Sequence, residues 1–167
     1  MKWFGDLELI RCFRERKENR CKDCRLTQAA KTLPNGIEEN LVAVVEDVMD
    51  DAREELGMPI VCTSGFRCPA HNANVGSKPT SQHIKGQAMD VTAGSPEDNL
   101  RLAKILIKNK RYDQCILYVA KGSLKPRFIH VSWKRGGGNR LELRKKVDGE
   151  SGYHLITSAE LNEIMNK

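Results

Sequence analysis

Gln87-Ala-Met-Asp-Val-Thr92 and Phe128-Ile-His-Val-Ser-Trp133 both carry the two-residue side-chain alternation of β-strands. In the first, alternation puts Ala88, Asp90 and Thr92 on one face of a strand and Met89 and Val91 on the other. In the second, His130 and Ser132 share a face, while Ile129, Val131 and Trp133 share the opposite one. Paired antiparallel, Met89, Val91, Ile129 and Val131 make one apolar layer, and Asp90 and His130 emerge as cross-strand neighbours on the other side. A carboxylate set between two core residues is costly unless something pairs with it, and a cation is the simplest partner. His83 offers a third ligand. Its His-x6-Asp spacing exceeds one helical turn and suits a loop folded back over the start of the strand, with Gly86 and Ala88 leaving room. Two imidazoles and one carboxylate, with a fourth place left for water, are the donor set of one catalytic zinc ion rather than of a closed structural site.

Outward from these strands, the pattern predicts an α+β domain: a small antiparallel sheet carrying the metal site, packed against helices. The strongest helix spans 38–56, where Leu41, Val44, Val45, Val48, Met49, Ala52 and Leu56 recur at three- and four-residue steps. Glu46, Asp47, Asp50 and Arg53 are left for its solvent face, and Gly57 is placed to end it. A strand is expected over 59–63, then an irregular loop over 64–85, long enough to be functional. Ser95-Pro-Glu-Asp98 is a helix start for a segment reaching about 108. Strands are expected over 114–119 and 127–133. Short helices are expected over 3–18 and 25–32. The division that follows is an N-terminal helical segment (1–36), a core (37–140) and a peripheral tail with a short helix (141–167).

Composition bounds the function. The 167 residues suffice for one domain, 40% hydrophobic and 30% charged, the balance of an ordinary globular protein. No apolar run approaches the ~20 residues of a membrane span. The charged start MKWFGDLELIRCFRERKENR lacks the apolar stretch of a secretory signal. The net charge of +6 clusters over 11–25 and at Lys134, Arg135, Arg140, Arg144, Lys145 and Lys146. Such a surface favours anionic polymers in general. With three tyrosines and two tryptophans, none interleaved with the basic runs, stacking on nucleic acid is disfavoured. Six cysteines without a secretory signal read as mostly free thiols. Cys21 and Cys24, with Cys12 nearby, have only half the spacing of a zinc knuckle.

Ser64-Gly-Phe-Arg67, followed by Ser81-Gln-His-Ile-Lys-Gly-Gln-Ala-Met-Asp90, resembles the SGxR and SxHxxGxAxD signature of the M15 family of zinc D-Ala-D-Ala peptidases. Asp113-Gln114 and Ile129-His-Val-Ser132 resemble a branch of that family frequent in phages and prophages. The similarity covers about 38–140. It implies a hedgehog/DD-peptidase-like fold, one Zn2+ held by His83, Asp90 and His130, and hydrolysis of peptidoglycan stem peptides as a carboxypeptidase or lytic endopeptidase. It further implies that Arg67 binds a substrate carboxylate or polarises the scissile carbonyl. Ser81 and Gln82 orient the ligand loop or touch substrate, and Tyr118 also borders the substrate. His71 and His154 match no ligand position. The expected setting is a monomer made in the cytoplasm and released to the bacterial wall, its basic ends adhering to anionic wall polymers.

One feature departs from the family pattern. Hydrolysis needs a base for the attacking water. The acid that many members carry three residues before the last histidine is Arg127 here, and the glutamate that the branch often carries on its DQ strand is Tyr118. The nearest remaining acid is Asp113, the expected catalytic carboxylate, with capping of a turn as its other reading. A zinc-holding module without turnover, on the same scaffold, therefore stands as the alternative function.

Overall fold

The computed structural model describes residues 2–5, 9 and 36–166. Most of 3–18 and all of 25–32, where short helices are expected, fall outside that range, as do Cys12, Cys21 and Cys24. Strands β1 (Val61–Ser64), β2 (Ala88–Thr92), β3 (Gln114–Val119), β4 (Pro126–Ser132), β5 (Glu142–Val147) and β6 (His154–Leu155) form one sheet in the order β1-β2-β4-β3-β5-β6. The β2–β4 pair is antiparallel with Met89 opposite Val131, Asp90 opposite His130 and Val91 opposite Ile129, the register that alternation predicts. The sheet is mixed rather than wholly antiparallel, because β5 runs parallel to β3.

Helix α1 begins at Ile37–Val44, widens through a π-helical stretch at Val45–Met49 and continues as Asp50–Leu56. Helix α3 (Pro96–Asn109) opens on Ser95, whose hydroxyl accepts from the Asp98 amide at 3.1 Å, the cap read from sequence. Met89, Val91, Cys115, Leu117, Ile129 and Val131 are all fully buried on one face of the sheet. They share a single core with Val44, Val45, Met49 and Ala52 of α1 and Leu102, Ala103 and Leu106 of α3. Burial of a side chain of this size stabilises by about 1.5–3 kcal/mol. Asn99, also fully buried, fastens α3 to the strand ends: its Oδ1 accepts from Ala93 N at 2.6 Å and its Nδ2 donates to the carbonyls of Pro126 and Arg127. With helices on that face, the opposite face of β2, β4, β3 and β5 is left for chemistry.

Three local expectations differ. Asp50 is buried rather than solvent-facing, and its carboxylate accepts from the Lys2 amide at 2.8 Å. The stretch 64–85 is not a continuous irregular loop: it holds helix α2 (Pro69–Asn74) and a 3-10 turn at Gln82–Lys85. The α2 cap is a thiol, Cys68 Sγ accepting from the His71 amide at 3.4 Å, with Pro69 at the first helical position. Finally, 142–147, placed by composition in a peripheral tail, is the strand β5 inside the sheet. The remaining expected helix of that tail is α4 (Ser158–Asn166). No helix among the described residues is long and apolar enough to cross a membrane.

Candidate metal centre

The polar face of the sheet carries one continuous row. Ser64 lies opposite Asp90, Asp90 opposite His130, His130 opposite Ile116, and Ile116 opposite Arg144. Ser64 joins the row because the β1–β2 register shifts between Cys62 and Ser64, which keeps Cys62 in the core and turns Ser64 to the site. His83 reaches Asp90 and His130 from the 3-10 turn. Ser81 starts that turn, its hydroxyl accepting from the His83 amide at 3.3 Å, and Gly86 ends it in a left-handed conformation at φ 67°. A Cβ on Gly86 would stand 2.6 Å from the Ile37 carbonyl oxygen, so the close approach needs glycine twice over.

His83, Asp90 and His130 are buried and present one ligand atom each to a common point. His83 Nδ1 lies 2.7 Å from the Gly65 carbonyl, which fixes the proton on Nδ1 and leaves the Nε2 lone pair facing inward. His130 Nδ1 is 2.9 Å from Asp90 Oδ1 and 3.2 Å from His83 Nε2, and the third side, His83 Nε2 to Asp90 Oδ1, is 3.2 Å. Ligands at ~2.0–2.1 Å on a tetrahedral zinc stand roughly 3.3 Å apart, so this triangle has the right size. Its protons point the same way. Burial pushes the His83 pKa down. Burial of Asp90 opposes ionisation, yet His83 and His130 beside it hold its carboxyl well below the usual range. A bare imidazole nitrogen therefore faces an ionised carboxylate oxygen, an arrangement that a shared cation satisfies.

Around the triangle, Arg67 donates from Nε to Ser64 Oγ at 2.8 Å, from Nη1 to Ser77 Oγ at 3.5 Å and from Nη2 to Asp90 Oδ2. Every nitrogen of its guanidinium is thus turned to the protein, and Asp90 Oδ1 stays on the ligand side. The site opens into a cavity of about 830 Å3 whose wall includes Ser81, Gln82 and Tyr118, the residues expected to meet substrate. Tyr118 stacks on Phe128 with ring centroids 4.1 Å apart, and its hydroxyl is 3.4 Å from that of Tyr153. Burial and that hydrogen bond raise the Tyr118 pKa, while the charges of Asp90 and Arg67 also reach it. It is a neutral hydrogen-bond donor at any working pH.

Asp113, expected as the catalytic carboxylate, does not line this cavity. Its buried carboxylate takes the Arg140 amide at 2.9 Å, the Arg140 guanidinium at 2.5 Å and Gln82 Nε2 at 2.9 Å. Burial works against its ionisation, but Arg140 and Gln82 outweigh it and lower the pKa to about 2. A carboxylate so held is a poor proton acceptor at neutral pH and a good anchor for Gln82, next to the ligand His83. Arg127 points to Asp148 at 2.5 Å. His71 and His154 stand outside the triangle, His154 pairing with Glu150 at 3.1 Å.

Sequence reasoning missed the far wall of the cavity. Glu142 and Arg144 on β5, Arg140 before it and Tyr153 after it all line the opening. Alternation in Glu142-Leu-Arg-Lys-Lys-Val147 was the available signal, obscured because Lys145 shares the inner face with Leu143 and Val147.

A comparison with curated proteins gives no match. The family model described as Peptidase M15 matches residues 15–132, which include His83, Asp90 and His130 as well as Arg67, Ser81 and Gln82. With more than two thirds of its length matched and the His-Asp-His triangle in place, the chain belongs to the peptidase M15 family.

Proposed function

We propose that the protein is a zinc metallopeptidase that hydrolyses peptidoglycan stem peptides. The observation that carries this reading is the triangle of His83 Nε2, Asp90 Oδ1 and His130 Nδ1, of zinc dimensions, at the floor of a cavity large enough for a peptide. These three residues would hold the ion. When bound, zinc supplies an acidified water and a Lewis acid for a carbonyl oxygen. The chain's own residues do the rest. The Gly65 carbonyl fixes the His83 tautomer, and Arg67 holds Asp90 so that one oxygen faces the site. Arg67 also places a positive charge beside the ligand set, where charge develops on a substrate carbonyl. Tyr118, neutral and facing the cavity, donates a hydrogen bond to the substrate. Asp113 acts through Gln82 and Arg140 as a positioning residue. The basic surface promotes adhesion to anionic wall polymers.

The alternative, a zinc-holding module without turnover, is favoured by one observation: Asp113 is committed to Arg140 and Gln82 and does not line the cavity. Mass spectrometry of purified wall fragments incubated with the zinc-loaded protein separates the two. Stem peptides shortened or cut, and left intact by Asp90→Asn, are the expected result. Fragments left intact by a parent protein that retains one zinc would establish the binding module instead.

A further inference from the structure

Three arginines line the cavity, and they are differently committed. Arg67 is used up by Ser64, Ser77 and Asp90, and Arg140 by Asp113. Arg144 gives only its Nε, to Glu142 Oε2 at 3.3 Å, and no bond from its Nη1 or Nη2 is found among the described residues. Its side chain is 31% exposed, and the residue lines the cavity. Glu142 shows the complementary asymmetry. Gln114 Nε2 at 2.7 Å, Arg144 Nε at 3.3 Å and Arg140 Nη1 at 3.6 Å all meet its Oε2, and among the described residues Oε1 meets nothing. A planar two-nitrogen edge and a carboxylate oxygen are thus left on one strand, by two residues that line the same cavity.

We propose that Glu142 and Arg144 form a subsite for a zwitterionic head group, an ammonium and a carboxylate on one carbon, carried by the substrate. The inference rests on the peptidase reading of the metal centre. Arg144 binds the carboxylate through its free edge, the geometry at which guanidinium exceeds an ammonium, and Glu142 Oε1 accepts from the ammonium. Arg144 lies two strands from His130 in the same cross-strand row, which at ~4.8 Å per strand is about 10 Å. That is the reach of a long side chain next to the scissile bond, or of roughly three residues of extended chain. The subsite lies on β5, beyond the matched family segment, which ends at 132.

The test uses the full-length, zinc-loaded protein and two stem peptides that differ only in the third residue. In one it is meso-diaminopimelate, whose side chain ends in ammonium plus carboxylate; in the other it is lysine, which ends in ammonium alone. The parent protein should show a KM for the diaminopimelate peptide about tenfold below that for the lysine peptide, the scale of one charge-assisted contact. Arg144→Met should bring the two within about twofold, Arg144→Lys should restore part of the difference, and Glu142→Gln should raise KM for both peptides. Equal KM values in the parent, or an undiminished preference in a folded Arg144→Met, would overturn the subsite while leaving the peptidase reading intact. If the parent cuts neither peptide, the peptidase reading fails on its own. Calorimetry then decides the subsite: tighter binding of the diaminopimelate peptide, abolished by Arg144→Met, sustains it, and equal binding overturns it.

Discussion

At the scale of residues, the site depends on where protons and charges are held. His83, Asp90 and His130 form a triangle that fits a metal, and removing one corner leaves two ligands. His130→Ala should therefore lower zinc affinity by at least about 100-fold, read by competition with a chromophoric chelator, with the fold retained by circular dichroism. Asp113 has a different task. Its folded pKa of about 2 lies below the 3.8 of an ordinary aspartate. A depressed carboxylate contributes stability that is complete above the unfolded pKa and vanishes as pH falls through the folded one. Acid titration of stability should accordingly show a loss between pH 3.8 and about 2 that Asp113→Asn lacks. The same variant should cost about 1–3 kcal/mol at neutral pH, since a buried charged hydrogen-bond acceptor is lost. The His83-Asp90-His130 triangle was legible in sequence because alternation and motif named the same positions. The pairing of Asp113 with Arg140 was not: the two lie 27 residues apart, and nothing local announces it.

At the scale of elements, β2, β4 and α3 were legible because each obeys a single period and one cap. The 3-10 turn at Gln82–Lys85 was not, since a four-residue turn has no period to read. It depends on Gly86. Gly86→Ala meets both a left-handed backbone and the Ile37 carbonyl, and the backbone alone costs about 1–2 kcal/mol. Because the turn carries His83, the variant should lose stability in a denaturant titration and zinc affinity by about 10–100-fold together. A variant that loses stability but binds zinc as the parent does would mean that the turn does not set the ligand. β5 escaped notice because charged residues occupy both of its faces, and its parallel pairing with β3 joins segments that no short-range signal connects.

At the scale of the whole molecule, a basic protein bears a polar cavity on one face of its sheet and packs helices α1 and α3 on the other. The net charge of +6 predicts adhesion to purified walls that is strong at about 50 mM salt and largely released by about 1 M, as screening shortens to ~3 Å. Retention at high salt would point to a specific contact instead. The expected dependence of peptide hydrolysis on one metal at His83, Asp90 and His130 is more specific. It is tested most directly by titrating zinc into chelator-stripped protein while product release from stem peptides is followed by mass spectrometry. Hydrolysis should be absent without metal and reach its plateau at one zinc per chain. Hydrolysis that persists in the stripped protein, or that stays absent once one zinc is bound, would contradict it.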